Sequence, residues 1–403
     1  MSGLALSVKH IVPVARQRRR RLEGVRVLFV LPSLGTGGAE RQAFLLGRQL
    51  ARDEAAVVRL VSVGPPDIPK TMVDAIERDG LSWTTFTFTH TYGERFRQLW
   101  DLMRFVVFLR RERPDVLLSY CMFPNIVSAL TWKLGGVRVC IWNQRDEGRG
   151  RVMRAVERVA VRQITRFLSN STHGAEFLIN VLGVPGEQVQ TIRNGIEPRE
   201  AQRDRASWRR ELGLSDTDFA ACMVANLHGF KDHHTLIAAW RIVVDGMRGS
   251  GRHARLLLAG GEGNRSQAVR QQIDELRLTE HVQLLGPVND VPGLLGAVDL
   301  SVFSSVAEGV PNAVLEAMAA GVAVVATDYP GIREALGPYA DSLLAREKDP
   351  LDLAEKIHRL ADDAQLRASL GLQGRTRVAS EFTLERMSDA ATEVIVGELA
   401  SAR

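Results

Sequence analysis

Long apolar runs are missing from this chain of 403 residues. None reaches the roughly 18–20 residues that a membrane-spanning helix needs. The longest candidates, VRVLFVLPSLG and LMRFVVFL, are short and interrupted, and read as a buried strand and a core helix. Cysteine is scarce as well. Cys121, Cys140 and Cys222 are odd in number and widely spaced, which excludes a disulfide framework or a thiolate metal site and fits a reducing cytoplasm. Aromatic residues make up 6% and no nucleic-acid-binding motif stands out, so nucleic acid is not an expected partner. A convincing signal peptide is also lacking. The basic cluster Arg16–Arg21 follows a weakly apolar segment and runs straight into a strand-like stretch, with no clear cleavage site. Residues 1–22 therefore read as a basic, disordered tail.

What is present is the composition of a soluble globular protein, 45% apolar and 25% charged, long enough for two domains. VRVLFVLPSLGTGGAERQAFLLGRQLAR reads as a strand, a glycine-rich turn and a helix. AAVVRLVSVG, PDVLLSYC, LGGVRVCIWNQR and ITRFLSNS continue as apolar strands, with helices between them. Strands alternating with helices predict right-handed crossovers and a parallel sheet. Arg193–Arg210 is polar, and the pattern restarts at FAACMVAN. The expectation is an N-terminal α/β domain over residues 23–195 and a second over residues 196–380. A C-terminal helix, residues 381–403, should pack back on the first.

The net charge of +5 is unevenly spread. Arg151, Arg154, Arg158 and Arg162 recur at three- and four-residue steps, giving one basic stripe on a helix, with Val152, Val156, Val159 and Ala160 elsewhere on the cylinder. Two readings stand: a face against anionic lipid, or a solvated face.

The stretch SSVAEGVPNAVLEAMAAGVAVVATD, Ser304–Asp328, carries two acids in a small, apolar setting. Pro311 suits the first turn of a helix and Gly321 its end. Glu308 and Gly309 then lie in the loop after the strand DLSVFSS, at the carboxyl edge where open α/β sheets bind ligands. The helix start at Val310, Pro311 and Asn312 favours a phosphate. Carboxylates suit hydroxyl groups instead. Together these fit a nucleoside diphosphate sugar. On spacing alone, a capping or ion-pairing role for both acids stands beside that reading.

The pattern Glu308, seven residues, Glu316 resembles the signature of the family 4 retaining glycosyltransferases. LPSLGTGGAER, SNS, RNGIEP, LLLAGGEG and VQLLGPVND resemble that family's consensus in the expected order. The resemblance implies a GT-B fold, two Rossmann-like doubly wound domains facing across a cleft. It assigns Glu308 to the donor sugar's hydroxyls and Glu316 to the ribose diol. Backbone around Gly309, Val310 and Asn312 would face the pyrophosphate. Lys231 matches the family lysine that stabilises the departing diphosphate, a role implied for catalysis together with Glu308. Asn226 stands where the family carries an arginine, so His228 or His233 could assist Lys231. Gly35, Gly37 and Gly38 match the first glycine loop near the donor phosphate; the spacing is not the dinucleotide fingerprint Gly-x-Gly-x-x-Gly, which argues against a dehydrogenase. Gly286 and Val288 resemble residues beside the base. Several family members carry a histidine after the strand matching DVLLSYC. Met122 and Phe123 occupy that place here, so Asn125 and Arg145 are the expected contacts to acceptor or donor phosphate.

The implied activity is transfer of a sugar, with retention, from a nucleotide sugar to a glycan or lipid-linked hydroxyl in cell-surface polysaccharide synthesis. Neither cofactor nor metal is implied. The other expected partner is an anionic membrane surface met peripherally from the cytoplasm. A nucleotide-sugar epimerase of similar shape, or a binding protein that has lost catalysis, are the alternatives.

Overall fold

The computed structural model describes residues 20–35, 37–64, 68–88, 95–148, 154–249 and 251–402. Its first sheet holds β1 (Arg26–Leu31), β2 (Val57–Ser62), β3 (Ser82–Thr85), β4 (Val116–Tyr120), β5 (Val139–Gln144), β6 (Arg166–Ser169) and β7 (Val189–Thr191). The order is β3-β2-β1-β4-β5-β6-β7, with every pair parallel. β4 and β5 are buried at every position, as strands covered by helices on both faces must be. The second sheet holds β8 (Phe219–Val224), β9 (Ala254–Ala259), β10 (Val282–Gly286), β11 (Leu300–Phe303), β12 (Val324–Thr327) and β13 (Leu344–Ala345). It repeats the plan as β10-β9-β8-β11-β12-β13, again parallel. In each sheet the chain reverses direction beside the first strand, which opens a crevice at the carboxyl edge.

The chain passes between the sheets twice, side by side. Ile196 N–H donates to the Phe382 carbonyl at 2.8 Å, and Ile196 pairs with Thr383. Arg193 also bonds Glu381 and sits over the Phe382 ring. Beyond this double crossing, the helix Leu384–Ser401 returns to the first domain. Its Met387, Ala391 and Ile395 join the core formed by β1, β2 and the helix Gly38–Glu54.

Several local features depart from the sequence reading. Leu22 is fully buried and the Arg21 N–H donates to Glu54 at 2.8 Å, so the fold begins inside the expected tail; residues 1–19 lie outside the described part. LMRFVVFL is not wholly a core segment: it belongs to the helix Arg95–Glu112, and Met103 and Val107 face solvent. Of the basic stripe, Arg151 lies outside the described residues, while Arg158 and Arg162 are exposed. Val159 is exposed with them rather than turned away, and the inward positions are Glu157 and Ala160.

Candidate functional site: the cleft between two carboxyl edges

Two helix starts meet across the cleft. The helix Gly38–Glu54 begins directly after the first glycine loop, and the helix Asn312–Ala319 begins after Pro311, which occupies its cap position. The Asn312 side chain donates to the Gly38 carbonyl at 3.1 Å. Its Oδ1 accepts from Gln42 at 3.2 Å and from Asn194 at 2.8 Å. Asn194 also donates to the Val310 carbonyl at 2.9 Å and accepts from Arg145. The two positive helix ends are therefore held together by amide side chains, a setting that favours an anion.

Glu308 hangs below this junction, 7% exposed. Its carboxylate is ion-paired with Lys231 and lies 2.8 Å from Ser305 Oγ. Lys231 Nζ lies 4.6 Å from the centre of the Phe303 ring. The position of Lys231 is fixed from behind by His233, whose Nδ1 is 3.1 Å from the Lys231 carbonyl. That carbonyl can only accept, so Nδ1 carries the proton. Burial pushes the His233 imidazole below its usual value, and its buried Nε2 has no partner. His233 thus positions Lys231 rather than reaching the cleft. His228 stacks on Phe230 instead, ring centres 5.7 Å apart.

Glu316 lies one turn further along its helix and is ion-paired across the cleft with Arg41. Burial raises its carboxyl above the usual range, against the pull of Arg41 and Arg199. Between the acids, Gly309 has no room for a side chain. A Cβ there would stand 2.6 Å from both the Arg145 carbonyl and the Asn170 side chain.

Arg145 directly follows β5 and enters the cleft from the first domain. Its guanidinium lies 5.4 Å from the centre of the Tyr120 ring, and its Nε is buried without a partner. Among the described residues, no carboxylate lies within ion-pair distance of it. Burial lowers its affinity for the proton, while the nearby Tyr120, Asp146 and Glu40 oppose this. A half-buried cation of this kind is suited to an anionic ligand.

The other expected residues are placed differently. Asn125 is fully buried, and its amide clamps the backbone N–H and C=O of Asn143 at 3.3 and 3.2 Å, beneath the site rather than lining it. Asn226 is exposed, and its Oδ1 accepts from the Gly261 N–H at 2.8 Å, tying together the loops after β8 and β9. The Gly286 carbonyl, at a positive φ of 66°, accepts from Gly260 at 2.9 Å. Val288 packs toward Trp208 and lines a separate cavity of about 410 Å³ with Arg203 and Asp290. Gly37 and Gly38 sit at the helix start as expected. Arg41, Gln42, Asn194 and Arg199 went unassigned in the sequence reading. Asn194 lies within RNGIEP and Arg41 within LPSLGTGGAER, so a signal was there for both; nothing marked Gln42 and Arg199. Among the described residues, no three His, Cys, Asp or Glu side chains are grouped to hold a metal ion, and no helix is long and apolar enough to cross a membrane.

Two doubly wound parallel domains with their carboxyl edges face to face define the GT-B class of fold. The description Glycosyltransferase Family 4 matches residues 36–200, and Glycosyl transferases group 1 matches residues 204–377. The chain belongs to the family 4 glycosyltransferases. It is similar to the N-acetyl-alpha-D-glucosaminyl L-malate synthase of Bacillus anthracis, 27% identical over 228 residues and 56% of each chain. The match thus spans about half the length of that relative. A shorter stretch of 89 residues is 43% identical to the N,N'-diacetylbacillosaminyl-diphospho-undecaprenol alpha-1,3-N-acetylgalactosaminyltransferase of Campylobacter jejuni, covering 22% of this chain and 24% of that one. Among solved structures, Anabaena Alr3699/HepE in complex with UDP-glucose superposes with a TM-score of 0.77 at 20% identity, over 92% of this chain and 100% of that one. At that identity the likeness speaks to the fold.

Proposed function

We propose that the protein transfers a sugar from a nucleotide-sugar donor to a hydroxyl of a glycan or lipid-linked acceptor, with retention, in cell-surface polysaccharide assembly at the cytoplasmic face of a membrane. The observation that carries this reading is the loop from Glu308 to Asn312. Its two flanking acids, Glu308 and Glu316, are each held by a cation, and a helix start lies between them. In the complex, hydroxyls of the donor sugar replace Lys231 at Glu308, and the ribose diol replaces Arg41 at Glu316. The diphosphate lies at the two helix ends, where it takes up both released cations and Arg145. Arg145 supplies from the first domain the charge that Asn226 does not bring.

The reaction breaks the bond between the anomeric carbon and the diphosphate oxygen. The acceptor oxygen forms its bond on the same face and passes its proton to the departing phosphate. Lys231 and Arg145 stabilise the negative charge as it builds on that phosphate, a positioned electrostatic contribution. With these cations in place the step is proposed to need neither a bound metal ion nor a cofactor. The lipid-linked acceptor named for the Campylobacter relative supports a similar class of acceptor here.

The test incubates the purified protein with UDP-, GDP- and ADP-linked sugars and a membrane extract. Consumption of one donor, with label entering the lipid fraction and an unchanged anomeric configuration by NMR, is expected. No turnover of any donor, or an inverted product, would contradict the reading.

A further inference from the structure

The helix Arg95–Glu112 carries an apolar stripe left exposed among the described residues. Phe96 is 92% exposed, Trp100 66% and Leu99 58%, and Met103 and Val107 continue the line. At about 100° per residue, these five fall within roughly a third of the helix circumference. Monomeric soluble proteins rarely leave so continuous an apolar face in water. The opposite side of the helix is ordinary core: Phe105, Val106 and Leu109 are buried.

Among the described residues, the exposed charges that flank the stripe on this helix are arginines. Arg97, Arg104 and Arg111 stand seven residues apart and run along its flank, and Arg110 closes its far end, all exposed. Of the helix's two acids, buried Asp101 ion-pairs with Arg104 at 3.1 Å while Arg104 itself stays exposed. The other, Glu112, is held by Arg59. The neighbouring elements extend the same face. Arg110 Nε donates to the carbonyl of exposed Leu134 at 2.9 Å. Lys133 in turn donates to Gln163 at 2.9 Å, beside exposed Val159 and Arg162.

The stripe also has a direction. The helix follows β3 in a parallel sheet, so its first turns lie at the carboxyl edge, beside the cleft, and its last turns lie away from it. The most exposed side chains, Phe96, Leu99 and Trp100, are thus nearest the cleft mouth.

We propose that this face docks on an anionic lipid bilayer. The apolar row enters the boundary between headgroups and acyl chains, and the arginine row pairs with headgroup phosphates. A second protein copy would meet like charge with like charge, whereas an anionic surface complements both the stripe and its rim. Docking sets the cleft mouth at the lipid surface. For its purpose, delivery of a lipid-linked acceptor, it rests on the transfer reading; for its existence it does not.

The test mixes the full chain with phosphatidylcholine vesicles, with or without phosphatidylglycerol, and reads binding by flotation. Wild-type protein should float with the phosphatidylglycerol vesicles only, and added salt should weaken the binding. The double variant Phe96→Ser, Trp100→Ser should lose roughly tenfold or more in affinity. Both positions are exposed, so its thermal melt should match wild type. The emission difference between wild type and Trp100→Phe should shift to the blue on vesicles. Absence of binding, equal binding by the double variant, or a dimer in sedimentation that the double variant dissociates would overturn the proposal. Binding of nucleoside diphosphates, measured separately on both proteins, shows whether the docking or the transfer reading has failed.

Discussion

Lys231 and Glu308 hold each other in the free protein, and each is mostly buried. A lysine in an exposed loop could be removed at little cost; this one leaves a buried carboxylate behind. Lys231→Ala should therefore do two things. Transfer should fall by about two to three orders of magnitude, the usual effect of deleting one preorganised charge-stabilising group. Stability should fall by on the order of 2–4 kcal/mol, because the remaining charge is buried and unpaired. Adding Glu308→Gln should recover most of that stability, read by thermal melts, without restoring transfer. Transfer by Lys231→Ala at the wild-type rate would contradict the leaving-group role. The sequence named both residues, but their pairing was not legible: 77 positions separate them, and no local pattern places one side chain on the other. The pairing of Glu316 with Arg41 was hidden in the same way, since the two lie on helices of different domains and only Glu316 was assigned a role.

At the scale of single elements, the helix Asn312–Ala319 was legible because its boundaries are chemical. Pro311 starts it and Gly321, at a φ of 75°, follows its end. The helix His233–Gly246 is similar, with Asp232 accepting from the Thr235 N–H at its start. Its first residue carries a pH dependence. His233 is buried, and its folded value lies below the ordinary one. As the pH falls, the unfolded chain therefore takes up the proton first. The stabilisation is complete above about pH 6.5 and drains away as the pH drops through the depressed folded value. Thermal melts between about pH 7.5 and about pH 5.5 should show a steeper acid loss for wild type than for His233→Asn, whose amide can still donate to the Lys231 carbonyl. Equal slopes would remove His233 from the account. The helix Arg95–Glu112 shows where element reading fails. Its apolar residues look the same whether they face core or solvent, and only the packing of the sheet decides that Phe96 and Trp100 point outward.

At the scale of the whole molecule, two parallel sheets of seven and six strands face each other, and the chain crosses between them twice. The repeated strand–helix alternation announced both sheets. The amides that close the cleft did not announce themselves: Gln42 and Asn194 become neighbours of Asn312 only when the two domains meet. The ligand proposed for the cleft carries hydroxyls at its two ends and a diphosphate between them, matching Glu308, the two helix starts and Glu316. The most direct measurement of this claim is calorimetric titration of UDP, GDP and ADP into wild-type protein and into Glu316→Ala. One nucleotide should bind the wild type, and the variant should bind it roughly tenfold or more weakly through loss of the carboxylate that accepts from the ribose diol. Binding of none of the three, or equal affinity for the variant, would contradict the assignment of this cleft to a nucleotide sugar.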